Sequence, residues 1–191
     1  MSDVETAAEE AMALLEDIKT PNSSQVLVFD IDETVLSNMK EFERMKFGKK
    51  PYDARWEREW MLNGTAPALQ PMLEVYKAAF KMGFSVTFIT GRDELARDST
   101  EKNLRNEGFG AQCSGPRDDT GAEETPCYVN LDLRNESDKR PASVYKPERR
   151  GMLQEDGYIL LASFGDQWSD LTGPNTAKAN FKLPNPMYYL L

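Results

Sequence analysis

Two aspartates set two residues apart, Asp30 and Asp32, stand at the end of the apolar run Val26-Leu27-Val28-Phe29. A second pair, Asp166 and Asp170, follows the apolar run Tyr158–Phe164. Between the pairs come Thr90-Gly91-Arg92, behind the expected strand Phe84–Ile89, and a lysine, Lys146. Taken singly, each has a plain structural reading. Asp and Thr cap helices and fill turns, and a lysine at a helix start is commonly solvated. Gathered at one edge, they could do chemistry. Two carboxylates at about 4 Å and an effective dielectric near 20 repel by about 4 kcal/mol. Four such groups must take up protons or hold a cation. Oxygen donors without nitrogen or sulfur select Mg²⁺ over zinc. The hydroxyl and amides of Thr90-Gly91, before a helix start, would cradle an anion. Arg92 or Lys146 would supply the positive charge that a phosphoryl group needs. Carboxylates, Mg²⁺ and an anion cradle converge on phosphoryl transfer.

The elements that must bring these residues together follow from the periodicity. Val26–Phe29 is continuously apolar, as in a parallel sheet covered on both faces. Further strands are expected at Phe84–Ile89, Pro126–Leu131, Tyr158–Phe164 and Ala179–Leu183. Helical patterns occupy Val4–Ile18, Pro71–Met82 and Asp93–Glu107, and a fourth follows Val144-Tyr145-Lys146-Pro147 to about Glu155. Strands alternating with helices imply a parallel sheet with right-handed crossovers. Such sheets place ligands at the carboxyl ends of their strands. Ser37–Leu69 is long for a connection. It is split by Pro51, closed by Asn63-Gly64 and rich in aromatics, and it reads as a small helical insert beside the acids. Phe42, Phe47, Tyr52, Trp56 and Trp60 read as core, with one or two left to line the pocket mouth. Ala111–Glu124 reads as a polar loop, and no repeat or domain boundary interrupts residues 1–191.

Composition removes several alternatives. The chain has no histidine, which excludes Ser-His-Asp and Cys-His catalysis, phosphohistidine chemistry and histidine-bound zinc. Cys113 and Cys127 flank one loop and could form a disulfide in an oxidising compartment or remain two free thiols. A net charge of −9 argues against nucleic acid as the main partner. No apolar run reaches the roughly 20 residues of a membrane span. The acidic first nineteen residues lack the pattern of a signal peptide. The expectation is an intracellular protein, or a mature or trimmed form of a secreted or vacuolar one. Gly108-Phe109-Gly110 follows a helix rather than a strand, so it fails as a dinucleotide motif, and no Walker-type loop is present.

The segments Asp30–Thr34, Phe88–Arg92, Val144–Arg150 and Gly165–Leu171, in this order, resemble the four motifs of the haloacid dehalogenase-like (HAD) phosphohydrolases. With the ending Phe181–Tyr189, the last two resemble more narrowly the branch of class B acid phosphatases, plant acid phosphatases and vegetative storage proteins. The resemblance implies an α/β fold, a three-layer α/β/α sandwich with a central parallel sheet in the order 5-4-1-2-3. It implies that Asp30 is the nucleophile and Asp32 the general acid and base. Asp30, Asp166 and the main-chain carbonyl of Asp32 would hold Mg²⁺, with Asp170 holding a metal-bound water or orienting Lys146. Thr90, Gly91 and Lys146 would bind phosphate. Arg92 would either touch phosphate or form a surface salt bridge to Asp93 or Glu94. Glu33 and Thr34 would fix the turn. The implied substrate is a small phosphomonoester, and relatives suggest a homo-oligomer. The insert is too small to seal a site as a full cap would, so an open pocket and broad substrate use are expected. Transfer to an alcohol acceptor, or a storage or ester-binding role without turnover, are the competing outcomes.

Overall fold

The computed structural model describes residues 2–51, 53–115 and 125–189. Tyr52 of the insert and most of the polar loop expected over 111–124 lie outside the described residues. In chain order the helices are α1 (Asp3–Glu16), α2 (Met39–Arg44), α3 (Ala54–Asn63), α4 (Gln70–Lys81), α5 (Arg97–Asn106) and α6 (Ala142–Glu155). The strands are β1 (Gln25–Phe29), β2 (Ser85–Asp93), β3 (Ala111–Gln112), β4 (Cys127–Tyr128), β5 (Asn130–Arg134), β6 (Ile159–Gly165) and β7 (Ala179–Lys182). β5-β2-β1-β6-β7 form one sheet, parallel throughout. This is the expected order, with the first strand in the centre.

The side-chain alternation of β1 explains the three layers. Leu27 and Phe29 join a core with Ala11 and Leu15 of α1 and Val75, Tyr76 and Ala79 of α4. Val26 and Val28 point the other way and pack with Tyr145 and Leu153 of α6. Helices therefore cover both faces, and β1 needs apolar residues at every position. Phe88, Phe29, Phe164 and Phe181 stand at one level on the adjacent strands β2, β1, β6 and β7. Phe29 stacks on Phe164 at 4.5 Å, and Phe164 on Phe181 at 4.9 Å. This aromatic row underlies the acidic edge. Truncating one of its buried rings to alanine costs about 3–5 kcal/mol.

Three elements depart from the sequence reading. The third strand of the main sheet is Asn130–Arg134, not Pro126–Leu131. It is an edge strand whose Leu131 and Leu133 are buried between more exposed Asn130, Asp132 and Arg134. Alternation on an edge strand hides it from a search for continuous apolar runs. Cys127–Tyr128 instead pairs with β3, and Cys113 and Cys127 form a disulfide with their Cα atoms 5.1 Å apart. At Gly110 a Cβ would lie 1.7 Å from the Pro126 carbonyl oxygen, so only glycine permits this crossing. The second departure is β2, which runs on to Asp93 because Asp93 pairs with Arg134 beyond a register shift. A 3-10 turn over Glu94–Ala96 follows, and α5 starts only at Arg97. Third, α6 begins at Ala142, so Lys146 lies inside the helix rather than before it. The insert holds the two expected helices, α2 and α3, the latter ended by Gly64 at φ 59°. No helix among the described residues is long and apolar enough to cross a membrane.

Candidate active site

The chain turns sharply where β1 ends. The Ile31 carbonyl accepts hydrogen bonds from the amides of Thr34, Val35 and Leu36 at 3.3, 3.0 and 2.9 Å. Glu33 takes the left-handed conformation at φ 53°, which is uncommon for a side chain of its size. This hook keeps Asp30 and Asp32 on the same edge, in agreement with the expectation that Glu33 and Thr34 fix the turn.

Asp30 sits among the second pair of acids. Lys146 reaches out of α6 and donates to Asp30 Oδ1 at 2.8 Å and to Asp170 Oδ1. Its ammonium is thus shared by two carboxylates and is itself buried. Asp170 Oδ2 accepts the Gln167 amide at 3.0 Å, in a capping box around the short turn Trp168–Asp170. Asp170 therefore does cap a helical turn, and it also orients Lys146. Gly165 makes this possible, since a Cβ there would lie 2.1–2.3 Å from the Asp170 side chain. The same strand end brings in Asp166. Its Oδ2 accepts from Gln167 Nε2 and from Asn185 Nδ2, both at 2.6 Å. Its Oδ1 is buried with no hydrogen-bond partner.

Oxygens of Asp30, Asp166 and Asp170 lie within 4.8 Å of one another. Burial pushes the Asp30 carboxyl well up, Lys146 pulls it down, and Asp170, Asp166 and Asp32 push it up again. Burial likewise raises Asp170, against the pull of Lys146. One ammonium cannot balance three buried carboxylates. The donor set is all oxygen, and one of the Asp166 oxygens, Oδ1, is buried without a partner. Both features fit a hard divalent cation such as Mg²⁺.

Asp32 stands apart from this triad. Arg92 grips it with both prongs, Nη2 to Oδ1 at 2.7 Å and Nε to Oδ2 at 3.0 Å. Asn38 Nδ2 donates to the same Oδ1 at 2.8 Å. Burial raises the Asp32 carboxyl, but Arg92 and then Asn38 bring it below its ordinary value. Arg92 is buried, and its remaining prong reaches Thr100 Oγ1 at 3.2 Å. A surface salt bridge to Asp93 or Glu94 is therefore not what it forms. Its charge is already committed to Asp32. Thr90 is fully buried at the same edge, and its hydroxyl accepts the Arg92 amide at 3.2 Å. Gly91 is exposed with open space around it. Because β2 continues past Gly91, no helix N-terminus backs this corner, contrary to the sequence reading.

Three residues that the sequence reading passed over complete the site. Asn38 precedes α2 as a capping residue would, yet its side chain makes no cap bond. Its amide holds Asp32, its Oδ1 accepts Trp60 Nε1 at 2.7 Å, and its N–H donates to Glu33 Oε1 at 2.6 Å. Arg150 donates to the carbonyls of Ser169, Asp170, Thr172 and Asn175 at 3.1, 2.8, 2.5 and 2.9 Å. It clamps the loop that carries Asp170. Asn185, between two prolines, reads as a turn residue but lies on Asp166. Of the insert's aromatics, Trp60 packs on the core, Phe47 is exposed, and Phe42 meets Tyr188 of the C-terminal segment at 5.7 Å.

The acids are consequently covered rather than open. Asp30 is 6% exposed and Asp166 2%, against 22% for the Asp32 side chain. Behind Asp30, a void of about 10 Å³ between Lys146, Ser163 and Asp170 has room for no more than a water. A larger surface groove of about 380 Å³ between α1 and α4 contains none of the acids at the sheet edge.

A parallel sheet that gathers aspartates and one lysine at its carboxyl edge, with an insert after the first strand, defines a HAD-like α/β fold. The chain belongs to the HAD superfamily, subfamily IIIB (acid phosphatase), whose family model matches residues 1–191. It is 40% identical over 167 residues to acid phosphatase 1 of Solanum lycopersicum, covering 87% of this chain and 59% of that protein. It is 32% identical over 192 residues to the stem 28 kDa glycoprotein of Glycine max, covering 99% and 69% of the two chains. Vegetative storage protein 1 of Arabidopsis thaliana is 26% identical over 190 residues, 98% of this chain and 64% of that one. The chain thus spans about six-tenths of the length of the tomato relative. Among solved structures, the class C acid phosphatase of Bacillus anthracis with tungstate bound shares the fold. Its TM-score is 0.65 at 22% identity, over 97% of this chain and 76% of that chain.

Proposed function

We propose that this chain hydrolyses phosphate monoesters through a phospho-aspartate on Asp30, with Mg²⁺ held by Asp30, Asp166 and the main-chain carbonyl of Asp32. The observation that carries this reading is the Lys146–Asp30 pair beside Asp166 and Asp170 at the end of the central strand. A buried carboxylate in a cluster that holds more acid than base is suited to react once a cation balances it. Mg²⁺ would offset the charge of the phosphoryl oxygens.

The remaining steps fall to the chain's own residues. An Asp30 carboxylate oxygen forms a bond to phosphorus as the ester P–O bond breaks, and Asp32 gives its proton to the leaving oxygen. Water then attacks phosphorus. Asp32 takes the proton from that water, and the bond from Asp30 to phosphorus breaks, which releases phosphate and restores both carboxyls. Lys146 holds Asp30 in place, and Thr90 with the Gly91 amide receives the phosphoryl oxygens. Arg92 and Asn38 hold the Asp32 carboxyl below its ordinary value, so Asp32 must gain its proton against that pull before it can act as the acid. The substrate is a small phosphomonoester.

The test is phosphate release from a panel of aryl, sugar and nucleotide monoesters, with Mg²⁺ or EDTA, beside Asp30→Asn. Mg²⁺-dependent release that vanishes in the variant is expected. Release that survives Asp30→Asn would mean another nucleophile. The storage-protein relatives favour a second reading, a related fold without turnover. No release from any ester by the Mg²⁺-loaded protein would select it.

A further inference from the structure

The residues from Pro184 to Tyr189 leave β7 and pass over the acidic edge, and one side chain ties them to it. Asn185 Nδ2 donates to Asp166 Oδ2 at 2.6 Å. Asn185 Oδ1 accepts the amides of Met187 at 2.8 Å and Tyr188 at 3.3 Å. The first bond leaves Asp166 with one oxygen clamped by two amide donors and the other, Oδ1, buried and without a partner. The second pair folds the segment back so that the Tyr188 ring rests 5.7 Å from Phe42 of the insert. The Tyr188 hydroxyl then lies in the field of Asp32, Asp166, Asp30 and Glu33.

We infer that Asn185 is a positioning residue that links cation binding at Asp166 to docking of the C-terminal segment over the site. The inference rests on the Mg²⁺ site proposed above. With Oδ2 pinned by two amide donors, Asp166 keeps Oδ1 as its unpartnered oxygen within the acidic cluster. A cation drawing on Oδ1 fixes the Asp166 carboxylate, which strengthens the hold of Oδ2 on Asn185. Because Asn185 also carries Met187 and Tyr188, that hold extends to the segment. Coupling of this kind is reciprocal: whatever orders the segment must also favour the cation. Outer partners of metal ligands commonly contribute 10–100-fold to affinity through such orientation.

The experiment pairs Mg²⁺ titration by calorimetry with amide hydrogen exchange over residues 184–189, on the full chain, Asn185→Ala and Tyr188→Ala. In the unsubstituted chain, Mg²⁺ is expected to slow exchange at Met187 and Tyr188. Asn185→Ala should weaken Mg²⁺ binding roughly 10–100-fold and abolish that slowing. Tyr188→Ala keeps both ends of Asn185 but loosens the segment, and by that reciprocity it should weaken Mg²⁺ binding, though less than Asn185→Ala does. Equal affinity in Asn185→Ala, or an equal loss in Tyr188→Ala, would overturn the role of Asn185 while leaving the Mg²⁺ site standing. Exchange unmoved by Mg²⁺ in the unsubstituted chain would overturn the coupling. An unsubstituted chain that binds no Mg²⁺ would overturn both this inference and the proposal beneath it.

Discussion

Asp32 faces an arginine of its own, whereas Asp30 and Asp170 share one lysine with Asp166 beside them. On the Asp32 side the charges balance, the carboxyl is lowered, and an asparagine completes its hydrogen bonds. On the Asp30 side acid exceeds base, Asp30 and Asp170 are raised, and one Asp166 oxygen is left without a partner. A second positive charge beside Asp32 would be redundant with Arg92, while beside Asp166 the proposed cation would offset the excess of acid. The difference also sets two acids only two residues apart different demands: Asp30 must lose its proton to a cation before it can attack, and Asp32 must gain one against the pull of Arg92.

The largest effect should come from the nucleophile. Asp30→Asn is expected to leave turnover at the background of a phosphate-release assay, whereas Asp32→Asn should lower kcat by about 10²–10⁴-fold. The Asp32→Asn loss should be smaller for a p-nitrophenyl ester than for an alkyl ester, whose leaving oxygen needs the proton more. Equal losses with both esters would deny Asp32 the acid role.

Stability should show the same asymmetry. Lys146→Met strands two buried carboxylates and should cost about 3–5 kcal/mol in urea unfolding without metal. Added Mg²⁺ should recover part of it. Arg92→Met leaves Asp32 partly exposed and still bonded to Asn38, so about 1–3 kcal/mol is expected. Equal costs, or Mg²⁺ rescue of Arg92→Met, would erase the distinction between the two sides.

Smaller still is the effect of Asn38→Ala. Losing one hydrogen bond to a charged group should reduce kcat by roughly tenfold and leave Mg²⁺ affinity unchanged. A fall in Mg²⁺ affinity would show that the two sides are not independent.

The pH dependence of the metal-free protein should be the mildest readout. Burial raises Glu33 from 4.5 to about 7, against the pull of the Asn38 amide. A carboxyl raised on folding binds its proton more tightly in the folded state. Its stabilising contribution is complete below about 4.5 and is lost as pH rises through about 7. In EDTA the melting temperature should therefore decline between pH 5 and 8, and Glu33→Gln should flatten that slope. An unchanged slope would place the titration on the other raised carboxyls, Asp30, Asp170 and Asp132.

The sheet and its order were legible because β1, β2 and β6 are buried along most of their length and rich in apolar and β-branched residues, a pattern that survives without knowledge of contacts. All four motif aspartates were legible for the same reason, since each closes or follows such a run. The start of β5 was not, because an edge strand shows alternation that polar loops also show. The surface salt bridge weighed for Arg92 was wrong because sequence places it next to Asp93 and Glu94, while its partner Asp32 is sixty residues away. Asn38 and Asn185 were invisible for a related reason. Asparagine before a helix or between prolines reads as local turn chemistry, and only the fold shows amides spent on distant carboxylates.

The aromatic row across β2, β1, β6 and β7 acts as a ruler for everything above it. Asp30 comes one position after Phe29, and so falls on the Val28 side of the sheet, where Lys146 waits. Phase, not distance along the chain, decides that meeting. A single residue inserted between Phe29 and Asp30 would turn the carboxylate toward α1 and α4 while the row itself stayed intact. Such a protein would keep the aromatic row and yet have no carboxylate from β1 beside its lysine. Loss of catalysis by a change of parity, with the row kept, is thus a route open to this fold.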